Sequence, residues 1–367
     1  MSEQTFKPAK PRNHAFDFLC GLCIIRMVLL HITESCNFQN ETWWTNVMYW
    51  SYFFMSFFFF KAGYFNKTVS GNSRAYCKDK FKRLMTPYFV WGLVGDAIFF
   101  FFVWFILDER NATSRLVTLD HVWTTSAFFG NVPCWFLFSF FCAYIAMHFI
   151  TKVRGLRWIV AVFPVVSWWL DTQGNPLWLS LNNVFFGIFL FFLGRLWHWL
   201  MDRMGQRTTI SVSCLLIITF VYFNVFRHGE YVMSTNRWEG APVDIIVSTV
   251  TSLCGISGLL LSVRMPRIPV INYIGQHSMV FFVAHMPMLV FYKLIRSANI
   301  RNLNHHWDDY ILLILILFSI CALLVPHVEK VPWLSGRFPK QPKPGVDASP
   351  QQAATAAQEP TATPRTE

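Results

Sequence analysis

Ten apolar runs constrain this chain more than any other feature of its sequence. They lie near residues 16–32, 44–65, 85–107, 133–151, 156–171, 176–198, 209–226, 243–262, 268–295 and 309–328. Each approaches the roughly 20 residues that carry a helix across about 30 Å of hydrocarbon. Backbone exposed to lipid must satisfy its own hydrogen bonds, which leaves only helices and closed barrels. A barrel needs segments of about ten residues with alternating polarity, and these runs are continuously apolar. The sequence therefore predicts an all-α, polytopic membrane protein with about ten transmembrane helices. Composition agrees where it decides. Only 14% of the 367 residues are charged, against roughly a quarter in soluble chains.

A net charge of +11 would point to nucleic acid in a soluble protein, but here the siding of the charges matters more than their sum. With the N-terminus inside, the inner segments carry 22 Lys and Arg and the outer ones seven. That bias predicts both termini in the cytoplasm and no nucleic-acid partner. Residues 1–15 are then a cytoplasmic N-terminal segment and residues 16–335 the membrane domain. Residues 336–367, rich in Pro, Ala, Gln and Thr, are too poor in apolar side chains to fold and form a disordered cytoplasmic tail. The first run has no small-residue cleavage site and reads as a retained span. Nine cysteines sit mostly inside apolar runs and read as small buried apolar side chains, so no disulfide framework and no metal site is expected. P-loop, GxGxxG, GxSxG and HExxH motifs are missing, so nucleotide hydrolysis, hydride transfer and metalloprotease chemistry have no support.

Ionisable groups inside the runs carry the most information, because each costs about 2.5–3.5 kcal/mol at mid-span and needs a partner or a purpose. In FDFLCGLCIIRMVLLHI, a 100° step puts Asp17, Cys20, Ile24, Met27 and His31 on one face. Arg26 lies about 140° from His31 and is expected to meet different neighbours. Asp17 is about 21 Å from His31 along the axis, too far to orient it. Glu34 is one turn on and can hold the imidazole in one tautomer; a histidine simply hydrogen-bonded at a helix end fits the pattern equally well. Lys61, after four phenylalanines, either snorkels or serves a site. The basic turn Lys78, Lys80, Lys82, Arg83 suits anionic lipid or the phosphates of a soluble donor, with Lys80 and Arg83 on one face. His285, His148, Asp96 and Asp244 are further polar groups in or near the membrane, and Asn182-Asn183 fit interhelical hydrogen bonds. A transporter or flippase with Arg26, Lys61, Asp96 and His285 along a substrate path is an alternative reading.

Separated segments, in order across roughly residues 14–330, together resemble the integral membrane acyltransferases of the acyltransferase 3 class. They are FDFLCGLCIIRMVLLHI, FFMSFFFFKAGYF, FKRLMTPYFVWG, VPCWFLFSFF, FFGIFLFFLGRL and IGQHSMVFFVAHMP. The resemblance implies that His31 serves catalysis. A basic residue is expected eleven positions earlier, where this chain has Cys20; Ala62 stands where the family has serine, and the family's paired basic residues fall on Lys80 and Arg83. It further implies transfer of an acyl group, most often acetyl from acetyl-CoA or another acyl-CoA, to a hydroxyl of a cell-surface or lipid-linked glycan. Likeness to enzymes described as fucose 4-O-acetylases points the same way. The implied setting is exopolysaccharide or cell-envelope chemistry at the bacterial inner membrane. The partners are the donor, the glycan and membrane lipids, with acetyl-CoA a co-substrate and no cofactor held permanently.

On this reading His31 is the general base and Glu34 its orienter, and Lys61, Lys80, Lys82 and Arg83 meet the anionic donor. Arg26, Trp135, Asn183 and His285 are substrate-binding or structural. Direct transfer and a covalent acyl-histidine both remain open. His31 is expected at the outer end of its span and the donor charges inside, so the pantetheine arm or a carrier must cross much of the membrane.

Overall fold

The computed structural model describes residues 13–66, 72–105, 114–153, 155–263, 265, 267–298 and 307–338. The expected tail past 338 and nearly all of the N-terminal segment lie outside the described residues. Four-fifths of the structure is helical.

Among the described residues, seven helices are long and apolar enough to cross a membrane. The first, α1 (His14–Ser35), starts where the Asn13 side chain accepts from the N–H groups of Ala15 and Phe16 at 3.0 and 3.3 Å, satisfying donors that a helix start leaves open. Two-thirds of its apolar window is buried among other helices, whereas α11 (Gln206–Phe226) and α15 (Trp307–Val328) bury about a quarter of theirs. The axis of the bundle is therefore α1, and the chemistry-bearing residues on it are held by packing.

The ten expected runs do not become ten long helices. The run 44–65 divides into α2 (Thr42–Ser51) and α3 (Phe54–Phe65). Ser51, at the break, bonds back to the Val47 carbonyl and accepts from Arg26, the kind of back-bonding that bends helices. The run 156–171 divides into α8 (Leu156–Ile159), a 3-10 turn (Val160–Val162) and α9 (Phe163–Thr172). The run 268–295 divides at His277 into α13 (Pro269–Gln276) and α14 (Ser278–Ala298), which meet at 84°. Counting that bent pair as one span gives eight.

The basic stretch is helical. From α4 (Ser73–Lys80) the chain passes through a π-turn (Phe81–Met85) into α5 (Thr86–Phe105). Pro87 lacks the N–H that would reach the Arg83 carbonyl, which accounts for the widened turn before it. A short helix α6 (Ser114–Thr125) leads to α7 (Trp135–Ile150). Glycines then set the closest helix contacts, as small residues do where lipid offers no hydrophobic drive. Gly63 of α3 meets the Phe191 backbone of α10 (Asn182–Met201), and Gly194 meets that of Phe60. Gly21 and Gly275 join α1 to α13 in the same way.

Between α11 and α12 (Pro242–Ser262) lies a hairpin of β1 (Glu230–Val232) and β2 (Arg237–Glu239), with Tyr231 paired to Trp238. It contributes one wall of the site. After α15, α16 (Pro332–Ser335) ends at Gly336 with φ +69°, pressed against the carbonyl of Arg83.

Candidate functional site

His31 sits in the last turns of α1, half-buried, its Nδ1 3.2 Å from Glu34 Oε2. A carboxylate only accepts, so Nδ1 carries the hydrogen and Nε2 is left as the basic nitrogen. On its other side the ring stacks on His285, with centroids 5.4 Å apart and planes 25° from parallel. His285 is fully buried on α14 and donates from Nδ1 to the Phe282 carbonyl at 2.8 Å, with the Phe281 carbonyl at 3.1 Å. Its Nε2 is buried without a partner among the described residues. Two residues on, Pro287 cannot donate to Val283, and the Val283 carbonyl is taken by Asn131 Nδ2 at 2.9 Å instead. The helix around His285 is thus pinned from outside.

His31 borders a cavity of about 110 Å³, named outer for the side that the charge bias of the sequence assigns to it, shared with Arg26, Tyr52, Trp135 and Glu230. Arg26 and His31 do have different direct partners, as their angular separation predicts, yet both line this cavity. The length of the arginine side chain overcomes the angle between them. Glu230, on β1, lies outside the spanning helices, and burial lifts its carboxyl above the usual range against the opposing pull of Arg26.

A second, apolar cavity of about 260 Å³ is lined by Ile24, Lys61, Phe136, Phe140, Tyr144 and Phe282, among others. The two cavities draw on the same helices in succession. Ile24 gives way to Met27 and His31 on α1, Lys61 to Phe54 and Met55 on α3, and Phe140 to Trp135 on α7. From Ile24 to His31 the rise is about 10 Å. Phe136 and Phe282, 5.4 Å apart, belong to the inner lining, and Phe282 in turn is 6.4 Å from the His285 ring.

Lys61 Nζ lies 2.8 Å from Cys20 Sγ. Lys61 therefore brings a cation beside the position where the resemblance led us to expect one on α1. Lys80 sits 3.9 Å over the Tyr144 ring and so touches the wall of the inner cavity, while Arg83 pairs with Asp79 at 2.8 Å and Lys82 is exposed; neither of these two lines either of the two cavities. Asn183 accepts from Ser139 at 2.8 Å, tying α10 to α7. Asp96 accepts from the Gly130 N–H, Asp244 meets Arg227 at 3.2 Å, and His148 meets Ser73 at 3.2 Å, all away from the two cavities. Arg26, Lys61, Asp96 and His285 therefore do not share one path. Among the described residues no cluster of three His, Cys, Asp or Glu is placed to hold a metal ion.

Glu230 and Tyr52 are among the polar lining residues that sequence reasoning missed. Glu230 lies in a loop between apolar runs and Tyr52 at a helix break, and neither place has a periodicity to betray it.

No curated protein and no solved structure matches the chain. Residues 13–326 match the family model described as an acyltransferase domain, which spans most of the sequence and both cavities. The chain belongs to the acyltransferase 3 family, and its chemistry is acyl transfer.

Proposed function

We propose that this protein is an O-acetyltransferase of the bacterial inner membrane, carrying acetyl from cytoplasmic acetyl-CoA to a hydroxyl of a glycan. The observation that carries the reading is the succession of an inner cavity holding Lys61 and an outer cavity holding His31, Arg26 and Glu230 along the same helices. The anionic donor approaches from the side of Lys80, its pantetheine arm lies along the aromatic wall, and Lys61 meets one of its polar groups. Both chain termini then lie in the cytoplasm, as the charge bias favours.

In the transfer, Nε2 of His31 takes the proton of the acceptor hydroxyl while that oxygen attacks the thioester carbonyl. The carbon–sulfur bond breaks, and the departing thiolate receives the proton from the imidazolium, so an ester and free coenzyme A result. Glu34 fixes the tautomer and steadies the transient cation, and the buried His285 ring stacked on His31 excludes water from one face. Such a base contributes about 10²–10⁴ in rate.

The test is a proteoliposome assay with acetyl-labelled coenzyme A on the face bearing Lys80 and a glycan acceptor on the other. Label appearing as ester on the glycan, with stoichiometric release of free thiol, is the expected result. Label crossing the bilayer with the thioester intact overturns the proposal in favour of transport.

A further inference from the structure

The outer cavity contains a guanidinium that the protein leaves incompletely satisfied. Arg26 is only 6% exposed. Its Nε donates to Ser51 Oγ at 3.1 Å, and Nη2 lies 2.7 Å from Met48 Sδ, a weak acceptor. Nη1 is buried with no partner. The Phe54 ring covers the guanidinium at 3.8 Å. Among the described residues no carboxylate comes within ion-pair distance of Arg26. Glu230, the carboxylate that shares this cavity, acts on Arg26 only through space and forms no ion pair with it, so a hydrogen-bonding anion is still wanted at a buried guanidinium, whose planar fork a carboxylate can meet with two parallel bonds.

We propose that the acceptor is an acidic sugar whose carboxylate is bound by Arg26 inside the outer cavity. The inference rests on the acyl-transfer reading for the word acceptor, and on Arg26 alone for the acidic group. Arg26 and His31 border the same cavity and are separated along α1 by about 7.5 Å of rise. A sugar seated in this cavity would present its acid to Arg26 and a hydroxyl to the imidazole. Tyr52 and Trp135 supply the flat walls that sugar rings pack on. Glu230 shares the cavity, and its burial disfavours the charged form, which eases the approach of one further carboxylate but not of a doubly charged phosphate.

Competition binding on the full chain in detergent tests this, using methyl glucuronoside and methyl glucoside as probes. Native protein is expected to bind the glucuronoside at least tenfold more tightly, Arg26→Gln to bind both alike, and Arg26→Lys to lose at least threefold of the preference, since a point charge replaces the fork. Equal binding of the two probes by native protein overturns the inference, as does a preference that survives Arg26→Gln or falls less than threefold in Arg26→Lys. If Arg26→Gln does not fold, the native and Arg26→Lys results decide between the same outcomes. The readout is binding, so a preference for the acid without any transfer of acetyl would sink the enzymatic reading and leave the acidic site standing.

Discussion

Replacing Gly63 by alanine probes the packing that positions both cavities. A methyl at Gly63 would stand 1.7 Å from the carbonyl oxygen of Phe191, and one at Gly194 would stand 1.9 Å from that of Phe60. Non-bonded heavy atoms settle at about 3.5 Å, so α3 and α10 must part by roughly 1.8 Å. The obstacle is backbone and cannot swing away. Overpacking of this kind costs about 1–3 kcal/mol, and the absence of a yielding side chain puts Gly63→Ala at the upper end. In thermal terms that is a fall of about 5 °C or more. Lys61, Phe54 and Met55 all ride on α3, and a displacement of about 1 Å in a positioning element costs about 10²-fold in rate. Gly205→Ala is the control, because a Cβ there meets nothing within 4 Å and φ is an ordinary −68°. Tryptophan fluorescence on heating in detergent, paired with the label-transfer rate, measures both effects. A Gly63→Ala protein that melts and transfers like the Gly205→Ala control would refute the close crossing of α3 and α10.

Lys61→Met should raise the apparent KM for acetyl-CoA about 10-fold or more, as the loss of a charge-assisted contact does, and steady-state kinetics at fixed acceptor would detect it. Lys80→Ala should weaken donor binding in a salt-dependent way while exposed Lys82→Ala leaves it close to native, a contrast that a titration at two ionic strengths reads directly. Ser139→Ala strands the Asn183 carbonyl oxygen in a buried site and should cost about 1–3 kcal/mol; adding Asn183→Leu should recover part of it, measured as unfolding midpoints. Burial raises the Glu230 carboxyl, so its charged form weakens the fold once pH exceeds the ordinary carboxylate range near about 4.3. Glu230→Gln should therefore raise the melting temperature at pH 8, and the gain should vanish as pH falls below that range.

Much of the frame was legible because hydropathy reports what a segment can bury. The runs that became α1, α5, α7, α10, α11, α12 and α15 are all continuous helices in the structure. Hydropathy does not report where a helix breaks. The break beside Ser51 depends on Arg26 of another helix, and the 84° bend at His277 has Glu329 2.6 Å from that ring, so both are tertiary events. The pairing of His31 with Glu34 was readable because three residues make one turn. The stacking of His285 on His31 was not, because the sequence places them 254 positions apart. Angular separation on α1 separated the direct partners of Arg26 from those of His31, but it says nothing of how far a long side chain reaches, and the arginine shares the histidine's cavity. Lys61 beside Cys20 shows the same limit, since only packing of α3 on α1 brings a cation to a helix that lacks it there.

The central claim is that the His31 imidazole accepts the acceptor's proton. Single-turnover transfer from labelled acetyl-CoA, at saturating donor and acceptor, compares native protein with His31→Gln most directly. The account predicts a loss of about 10²–10⁴ in the transfer rate with donor affinity unchanged. A His31→Gln protein that transfers within about threefold of the native rate would contradict it.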